Sequence, residues 1–133
     1  MKVVIDATNG VLGRVASYAA KQSLLGKDVI VVNCANLLIT GGARMIIEEY
    51  KTLVYRGGHS LNGPFHVKRN PERIMKRTIR GMLSYKQGRG HAAFKKIMCY
   101  NQIPAEFAQE KMIKFEKINK GKTMQLKDLV KEL

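Results

Sequence analysis

Two glycines follow the first apolar run at a spacing that could hold a phosphate. The stretch IDATNGVLGR, residues 5–14, leads from an apolar segment into a helical pattern, where α/β proteins often bind a nucleotide phosphate. A dinucleotide fingerprint needs G-x-G-x-x-G there, and a P-loop needs a Lys-Ser/Thr pair after its glycines. Only Gly10 and Gly13 are present, and Thr8 holds the position of the first fingerprint glycine. The favoured interpretation is structural: Gly10 permits a tight turn and Gly13 lets the first helix approach the sheet.

Two other interpretations of this loop stay open. An anion could bind at the N-terminus of the helix that follows it, and a phosphate held there would come from an RNA backbone. A nucleotide-binding enzyme is the less favoured alternative, because the second strand ends in Asn33-Cys34 with no acid to hold a ribose.

Residue combinations that support catalysis are scarce. His59, His66 and His91 have no acid nearby in the sequence to orient them, and no Ser or Cys lies in a nucleophile-elbow context. Asp6, at the end of the first strand, is the one acid worth testing, and hydrogen bonding within the strand-to-helix turn is its favoured role. We therefore predict no catalytic residues, no enzymatic activity and no small-molecule substrate.

Metal, cofactor and membrane sites are not expected either. Cys34 and Cys99 lie far apart in the sequence and lack partners at metal-ligand spacing, so we interpret them as small buried residues of a reducing compartment. The N-terminal apolar run, Val3–Ile5, is too short for a signal peptide or a membrane span, which makes a cytoplasmic protein the default. No metal or cofactor is predicted.

The positive charge is concentrated in the middle of the chain. The formal net charge is +14, from 24 Lys and Arg against 10 Asp and Glu. Residues 51–100 carry a net +11 with Glu72 as their one acid, whereas residues 1–50 carry +1 and residues 101–133 carry +2. Such an excess predicts a polyanionic partner and a scaffold that presents one basic surface.

The strongest segment is KRNPERIMKRTIRGML, residues 68–83. Asn70 is a good N-cap, Pro71 suits the first helical position, and Glu72 complements the helix dipole. At 100° per residue, four cations share an arc of about 100°: Arg73, Lys76, Arg77 and Arg80. The opposite side carries the residues expected to pack: Ile74, Met75, Thr78, Ile79, Met82 and Leu83.

Basic loops flank this helix and extend the candidate site. No acid is added by the loops, so a polyanion explains the pattern better than solubility does. Aromatic and histidine side chains lie among these cations in the sequence. Some of them could stack on unpaired bases, although local packing is the commoner role for each. The predicted RNA-binding residues are Arg56, Lys68, Arg69, Arg73, Lys76, Arg77, Arg80, Lys86, Arg89, Lys95 and Lys96.

Hydrophobic periodicity predicts an α/β fold that could position this surface. The early elements are a strand at Lys2–Ile5, a helix at Val11–Leu25, a buried strand at Asp28–Val32, a strand at Leu37–Ile39 and a helix at Ala43–Val54. This order indicates βαβ units around a parallel sheet. Later elements are helices at 71–83 and His91–Lys96, a strand at Met98–Tyr100, a helix near Ala105–Lys114 and a final amphipathic turn N-capped by Thr123.

Four motifs in order give the chain a family resemblance. IDATNGVLGRVAS, VIVVNCANLLITGG, NPERIMKRTIRGML and GRGHAAFKKIMCYNQIP resemble the universal large-subunit ribosomal protein thirteen family over residues 3–104. The R-T-I-R-G-M-L and I-P signatures resemble its archaeal and eukaryotic branch. Two positions depart from the pattern: Ser84 replaces a common Pro, which predicts a looser helix exit, and Asn101-Gln102 replaces a common Gly, which predicts a different turn.

The resemblance implies a three-layer α/β/α fold around a small, about four-stranded parallel sheet with the first strand inside. The length of 133 residues predicts a single domain, with an α/β core at about 1–104 and a C-terminal extension at about 105–133. The resemblance also implies a structural constituent of the large ribosomal subunit that binds large-subunit rRNA, contacts neighbouring ribosomal proteins and supports subunit assembly, without catalysis. The basic residues alone fit a free-standing RNA- or DNA-binding regulator equally well.

Overall fold

The computed structural model describes residues 1–55, 70–115 and 121–133. The strands are β1 (Lys2–Asp6), β2 (Asp28–Val32), β3 (Leu38–Thr40), β4 (Ile97–Cys99), β5 (Met112–Lys114) and β6 (Thr123–Gln125). The helices are α1 (Leu12–Leu24), α2 (Ala43–Tyr55), α3 (Pro71–Gly81), α4 (Gly88–Lys95) and α5 (Leu126–Glu132), with 3-10 turns at Cys34–Asn36 and Ala105–Phe107. The early elements agree with the predicted ones to within one residue, while α4 begins three residues earlier than predicted.

A four-stranded parallel sheet forms the centre of the described structure. Its order is β4-β2-β1-β5, so the first strand lies inside, as the family resemblance implied. β1 pairs with β2 from Lys2 opposite Asp28 to Asp6 opposite Val32. The predicted α/β class and the small parallel sheet are confirmed.

The sheet is buried on both faces, which explains the continuous apolar run of β2. Val29 and Val31 face the main core with α1, α3, α4 and α5, whereas Ile30 and Val32 face a second cluster. Phe107, in the 3-10 turn, covers that second cluster. Strands buried on both faces lose the alternation of polar and apolar residues. The layers of helix, sheet and outer turn agree with the three-layer arrangement.

β3 does not join the parallel sheet, contrary to the βαβ interpretation. It pairs antiparallel with β6 in a separate two-stranded sheet, with Leu38 opposite Gln125 and Thr40 opposite Thr123. Leu126 adds to the link by donating its amide to the carbonyl of Leu37. The partner of β3 is therefore the C-terminal strand β6, which lies far from it in the sequence.

Two predictions for the C-terminal third are wrong. The helix expected near Ala105–Lys114 is instead a 3-10 turn followed by β5, which pairs with β1 and so brings residues beyond 104 into the sheet. The N-cap role expected for Thr123 is also wrong, because Thr123 opens β6 and α5 begins after Gln125, whose side chain makes no capping hydrogen bond. Leu126 and Leu129 of α5 are buried, as expected of its apolar side.

The two cysteines become neighbours in the fold. Cys34 follows β2 and Cys99 ends β4, and both thiols are buried and reduced. The pKa of Cys34 is raised, first by a hydrogen bond with the thiol of Cys99 and then by burial. The prediction of small buried residues is confirmed, but their separation in the sequence did not reveal that the two thiols lie close together in the fold.

Two asparagines cap the start of α3. The side-chain oxygen of Asn70 accepts from the amide of Glu72 at 3.3 Å, as predicted for an N-cap. The same amide also donates to Asn101 at 2.9 Å, and the Asn101 side-chain nitrogen donates to Asn70 at 2.9 Å. Asn101, one of the positions that depart from the family pattern, therefore supports the N-terminus of α3 from a distant part of the chain.

We expect Asn101→Ala to lower the free energy of unfolding by about 1 kcal/mol, because it removes one acceptor and one donor from this cap. Thermal unfolding of both proteins followed by circular dichroism measures the difference. Gln102→Ala is the matched control, since Gln102 is exposed beside it. Equal stability of the Asn101 variant and the parent would contradict the capping role.

Candidate nucleic-acid interface

The α3 helix separates its apolar and basic residues between two sides. Ile74, Met75 and Ile79 are buried in the main core. Leu83 is buried just after the helix, but Met82 is exposed, so its predicted packing is wrong. Helical periodicity no longer applies there because α3 ends at Gly81 and Met82 is its C-cap.

The four predicted cations of α3 lie together on its other side, at different depths. Arg73 is exposed, while Lys76, Arg77 and Arg80 are half-buried. The guanidinium Nε of Arg77 is buried, so this cation reaches deepest of the four. The predicted basic face is present in the fold.

Aromatic rings support two of these cations. The ammonium of Lys76 lies 5.1 Å from the centre of the Phe94 ring, and the guanidinium of Arg80 lies 4.9 Å from the centre of the Tyr85 ring. Contacts of this kind attract a cation to the face of a ring and restrict its rotamers. They hold the two side chains in place without neutralising their charge.

Three of the four cations of α3 have no acid paired with them within the described residues. Arg73, Lys76 and Arg80 form no salt bridge to any residue in 1–55, 70–115 or 121–133, and the salt bridges seen there join Lys2 to Glu110 and Arg44 to Glu48. A cluster of uncompensated cations favours a partner that brings negative charge.

The predicted cations that follow α3 in the chain are exposed. Lys86 is exposed in the turn, Arg89 is exposed in α4, and Lys95 and Lys96 are exposed at the end of that helix. Lys96 donates to the carbonyl of Gly26 at 3.4 Å. Three further predicted RNA-binding residues lie outside the described residues: Arg56, Lys68 and Arg69.

Sequence reasoning missed Tyr50 as a neighbour of the basic face. This side chain, on α2, lines a cavity of about 320 Å³ together with Arg77, Arg80 and Tyr85. Nothing local to the sequence of α2 shows that this position lies opposite α3.

The opening loop offers no unused amides over residues 7–10. Ala7 donates its amide to Val32, Thr8 to the Asp6 carboxylate, and Asn9 and Gly10 to the carbonyls of Asn36 and Ala7. A phosphate in such a loop is normally held by backbone amides. The amides of this turn are used within the protein, which supports the structural interpretation.

The two glycines of the loop differ in role. A Cβ at Gly10 would lie 2.9 Å from Val15 and 3.2 Å from Phe115, so close packing requires a glycine there. The positive φ of the turn falls on Asn9. Gly13 is exposed and a Cβ on it would meet nothing within 4 Å, so the predicted close approach of the helix at Gly13 is wrong.

Asp6 has the structural role favoured by its position. Its carboxylate accepts hydrogen bonds from the hydroxyl of Thr8 at 2.7 Å and the side chain of Asn33 at 3.0 Å. Burial raises its pKa, but the hydrogen bonds from Asn33 and Thr8 outweigh that effect and the pKa is lowered. The Asp6 carboxylate is therefore charged and hydrogen-bonded at neutral pH. It stabilises the turn, and its charge would repel a phosphate.

Neither a metal cluster nor a spanning helix is found in the described segments. They hold no group of three or more His, Cys, Asp or Glu side chains able to bind a metal ion. None of their helices is long and apolar enough to cross a membrane.

The fold and the basic face of α3 define a class of basic α/β proteins suited to a polyanionic partner. Comparison with known proteins gives the particular family. The model of the family described as ribosomal protein L13 matches residues 1–106, and the chain belongs to that family. The resemblance seen in the four motifs is thereby confirmed.

The relatives are archaeal large-subunit proteins named uL13. The one from Archaeoglobus fulgidus is 41% identical over 113 residues, covering 85% of this chain and 71% of the relative. The one from Thermoplasma volcanium is 36% identical over 133 residues, covering 98% and 96%. The one from Haloarcula marismortui is 46% identical over 98 residues, covering 74% and 66%. These matches confirm the archaeal side of the predicted branch.

Proposed function

We propose that this chain is a structural constituent of the large ribosomal subunit that holds rRNA through α3 and the basic segments beside it. The observation that carries the proposal is the basic face of α3, where Arg73 is exposed and Lys76 and Arg80 are supported on aromatic rings. None of these three cations forms a salt bridge to a described residue. Family membership supports the ribosomal setting, since the relatives are named as large-subunit proteins.

The mechanism is charge neutralisation. Cations placed against phosphates release condensed counterions and hold together RNA segments that would otherwise repel each other. Because the cations are distributed along a helix and its flanking segments, shape and backbone contacts dominate over base readout. Arg56, Lys68, Arg69, Lys86, Arg89, Lys95 and Lys96 extend the contact beyond α3.

The whole chain acts as one domain on the ribosome in the cytoplasm, beside neighbouring large-subunit proteins, and its role is assembly and support without catalysis. The use of the amides of residues 7–10 within the turn disfavours the nucleotide-binding enzyme. A free-standing regulator would need the same basic face, but that hypothesis does not explain why the chain belongs to a ribosomal protein family.

We expect affinity for large-subunit rRNA to fall about 100-fold or more between 50 and 200 mM monovalent salt, because five or more phosphate contacts release their counterions. Filter binding over a salt series measures the slope of log affinity against log salt. A folded acidic protein of similar size is the negative control. A slope near zero would contradict the electrostatic mechanism.

A further inference from the structure

A cavity opens beside the basic face, between α2, α3 and the turn after α3. Its volume is about 320 Å³. The side chains and backbone that line it are Tyr50, Ile74, Arg77, Thr78, Arg80, Gly81 and Tyr85. Ligand pockets range from about 300 to 1,000 Å³, so this one suits a single nucleotide-sized group and excludes an RNA helix.

The chemistry of the lining is divided between charge and aromatic surface. Arg77 and Arg80 supply guanidinium groups, which bind phosphate oxygens in a fork geometry. Tyr50 and Tyr85 supply rings, and Ile74 supplies an apolar wall from the core. Unpaired bases stack on aromatic rings and their phosphates pair with arginine, which is the usual pattern of single-strand recognition.

The two tyrosines are suited to different parts of such a ligand. Tyr85 is exposed and has the Arg80 guanidinium over its ring, so the cation and the ring already form a stacked platform. Tyr50 is half-buried, and its pKa is raised by burial and by the charge of Glu49. Its hydroxyl therefore stays protonated at neutral pH and can donate to an oxygen or a ring nitrogen.

We propose that this cavity receives one unstacked nucleotide of RNA, with its base against Tyr85 and its phosphate at Arg77 and Arg80. The proposal rests on the proposed function, because it assigns one contact of the same RNA-binding surface. The pocket would give the protein a local preference for single-stranded RNA, whereas the rest of the basic face binds the phosphates of any RNA. The pocket also explains why an aromatic residue follows the end of α3 among exposed cations.

Four variants separate the pocket from the charge. Tyr85→Ala removes the platform and Tyr85→Phe keeps it. Gly81→Leu fills the cavity without changing any charge, and a Cβ at Gly81 meets nothing within 4 Å, so the fold can accept it. Gly88→Leu is its matched control, since Gly88 is exposed, equally open and outside the pocket lining.

The experiment compares binding of the full chain to a single-stranded RNA of about ten nucleotides and to a fully paired RNA hairpin. We expect Gly81→Leu to lower single-strand affinity about 10-fold, the usual effect of losing one stacked base, and to leave hairpin affinity within about twofold. Tyr85→Ala also releases Arg80 from its ring, so it should lower affinity for both RNAs, with the larger loss on the single strand. Tyr85→Phe and Gly88→Leu should match the parent. Ultraviolet cross-linking of the parent to the single strand should place a nucleotide adduct on the peptide that contains Tyr85.

Unchanged single-strand affinity in both loss variants, equal losses on both RNAs, or adducts confined to other peptides would overturn the pocket. The cross-link also decides the matter if a variant fails to fold. The two proposals fail differently. Salt-dependent binding of both RNAs with no effect of the variants rejects the pocket alone, whereas absence of binding to either RNA and to large-subunit rRNA rejects the proposed function.

Discussion

Replacing Arg73 and Arg80 together with glutamate should lower affinity for large-subunit rRNA about 100-fold at moderate salt. A charged hydrogen bond contributes about 1.5–3 kcal/mol, so losing two such contacts removes about 3 kcal/mol even before repulsion is counted. Arg73 is exposed and Arg80 holds its charge over Tyr85, and neither forms a salt bridge to a described residue. Filter binding at one fixed salt concentration measures the change.

Stability should change little in this double variant. Glutamate at 73 lies in the first turn of α3, where the helix dipole favours an acid. This gain offsets part of the loss at position 80, where a last-turn cation and its contact with Tyr85 are replaced by an acid. Arg77 is left unchanged because its guanidinium Nε is buried, so a new acid there would disturb packing.

A matched control carries the same change of charge elsewhere. Lys21→Glu with Lys127→Glu reverses two exposed cations, one near the end of α1 and one in α5. We expect this control to lose far less affinity than the α3 variant. Equal losses in the two double variants would show that net charge alone, and not the α3 face, determines binding.

Gly90→Ala should lower the free energy of unfolding by about 3 kcal/mol and the melting temperature by about 10 °C. Gly90 is buried near the start of α4, and a Cβ there would overlap the carbonyl group of Ser84. The obstacle is backbone, which cannot rotate away as a side chain can. Either α4 or the turn after α3 would have to move.

The neighbouring Gly88 provides the control for this substitution. Gly88 is exposed in the same helix, and a Cβ on it meets nothing within 4 Å. Gly88→Ala should therefore be neutral or slightly stabilising, since alanine is the better helix former. Differential scanning calorimetry of both variants measures the effect, and similar melting temperatures for the two would show that the contact between α4 and Ser84 is not close.

Elements with strong local signals could be predicted from the sequence. The N-terminus of α3 is marked by Asn70, Pro71 and Glu72, which act within one turn, and its two sides follow from helical period. β2 is marked by a continuous apolar run because both of its faces are buried. The basic face could be located for the same reason, since its residues share one helix.

Elements that depend on distant partners could not be predicted. The apolar residues of β3 do not show that its partner is β6, 87 residues further on at the pair Leu38 and Gln125. β5 is only three residues long, too short to show a strand period, and pairing with β1 determines its conformation. The second cap by Asn101 and the place of Tyr50 in the cavity also arise only when the chain folds.

Sedimentation of a cell extract tests most directly whether the basic face holds this chain on the large subunit. Tagged parent protein and the Arg73→Glu/Arg80→Glu variant are followed across a gradient at moderate salt, with the Lys21→Glu/Lys127→Glu variant as control. We expect the parent and the control to migrate with large subunits and the α3 variant to remain largely in the light fractions. A parent protein absent from large-subunit fractions, or an α3 variant retained there as fully as the parent, would contradict the account.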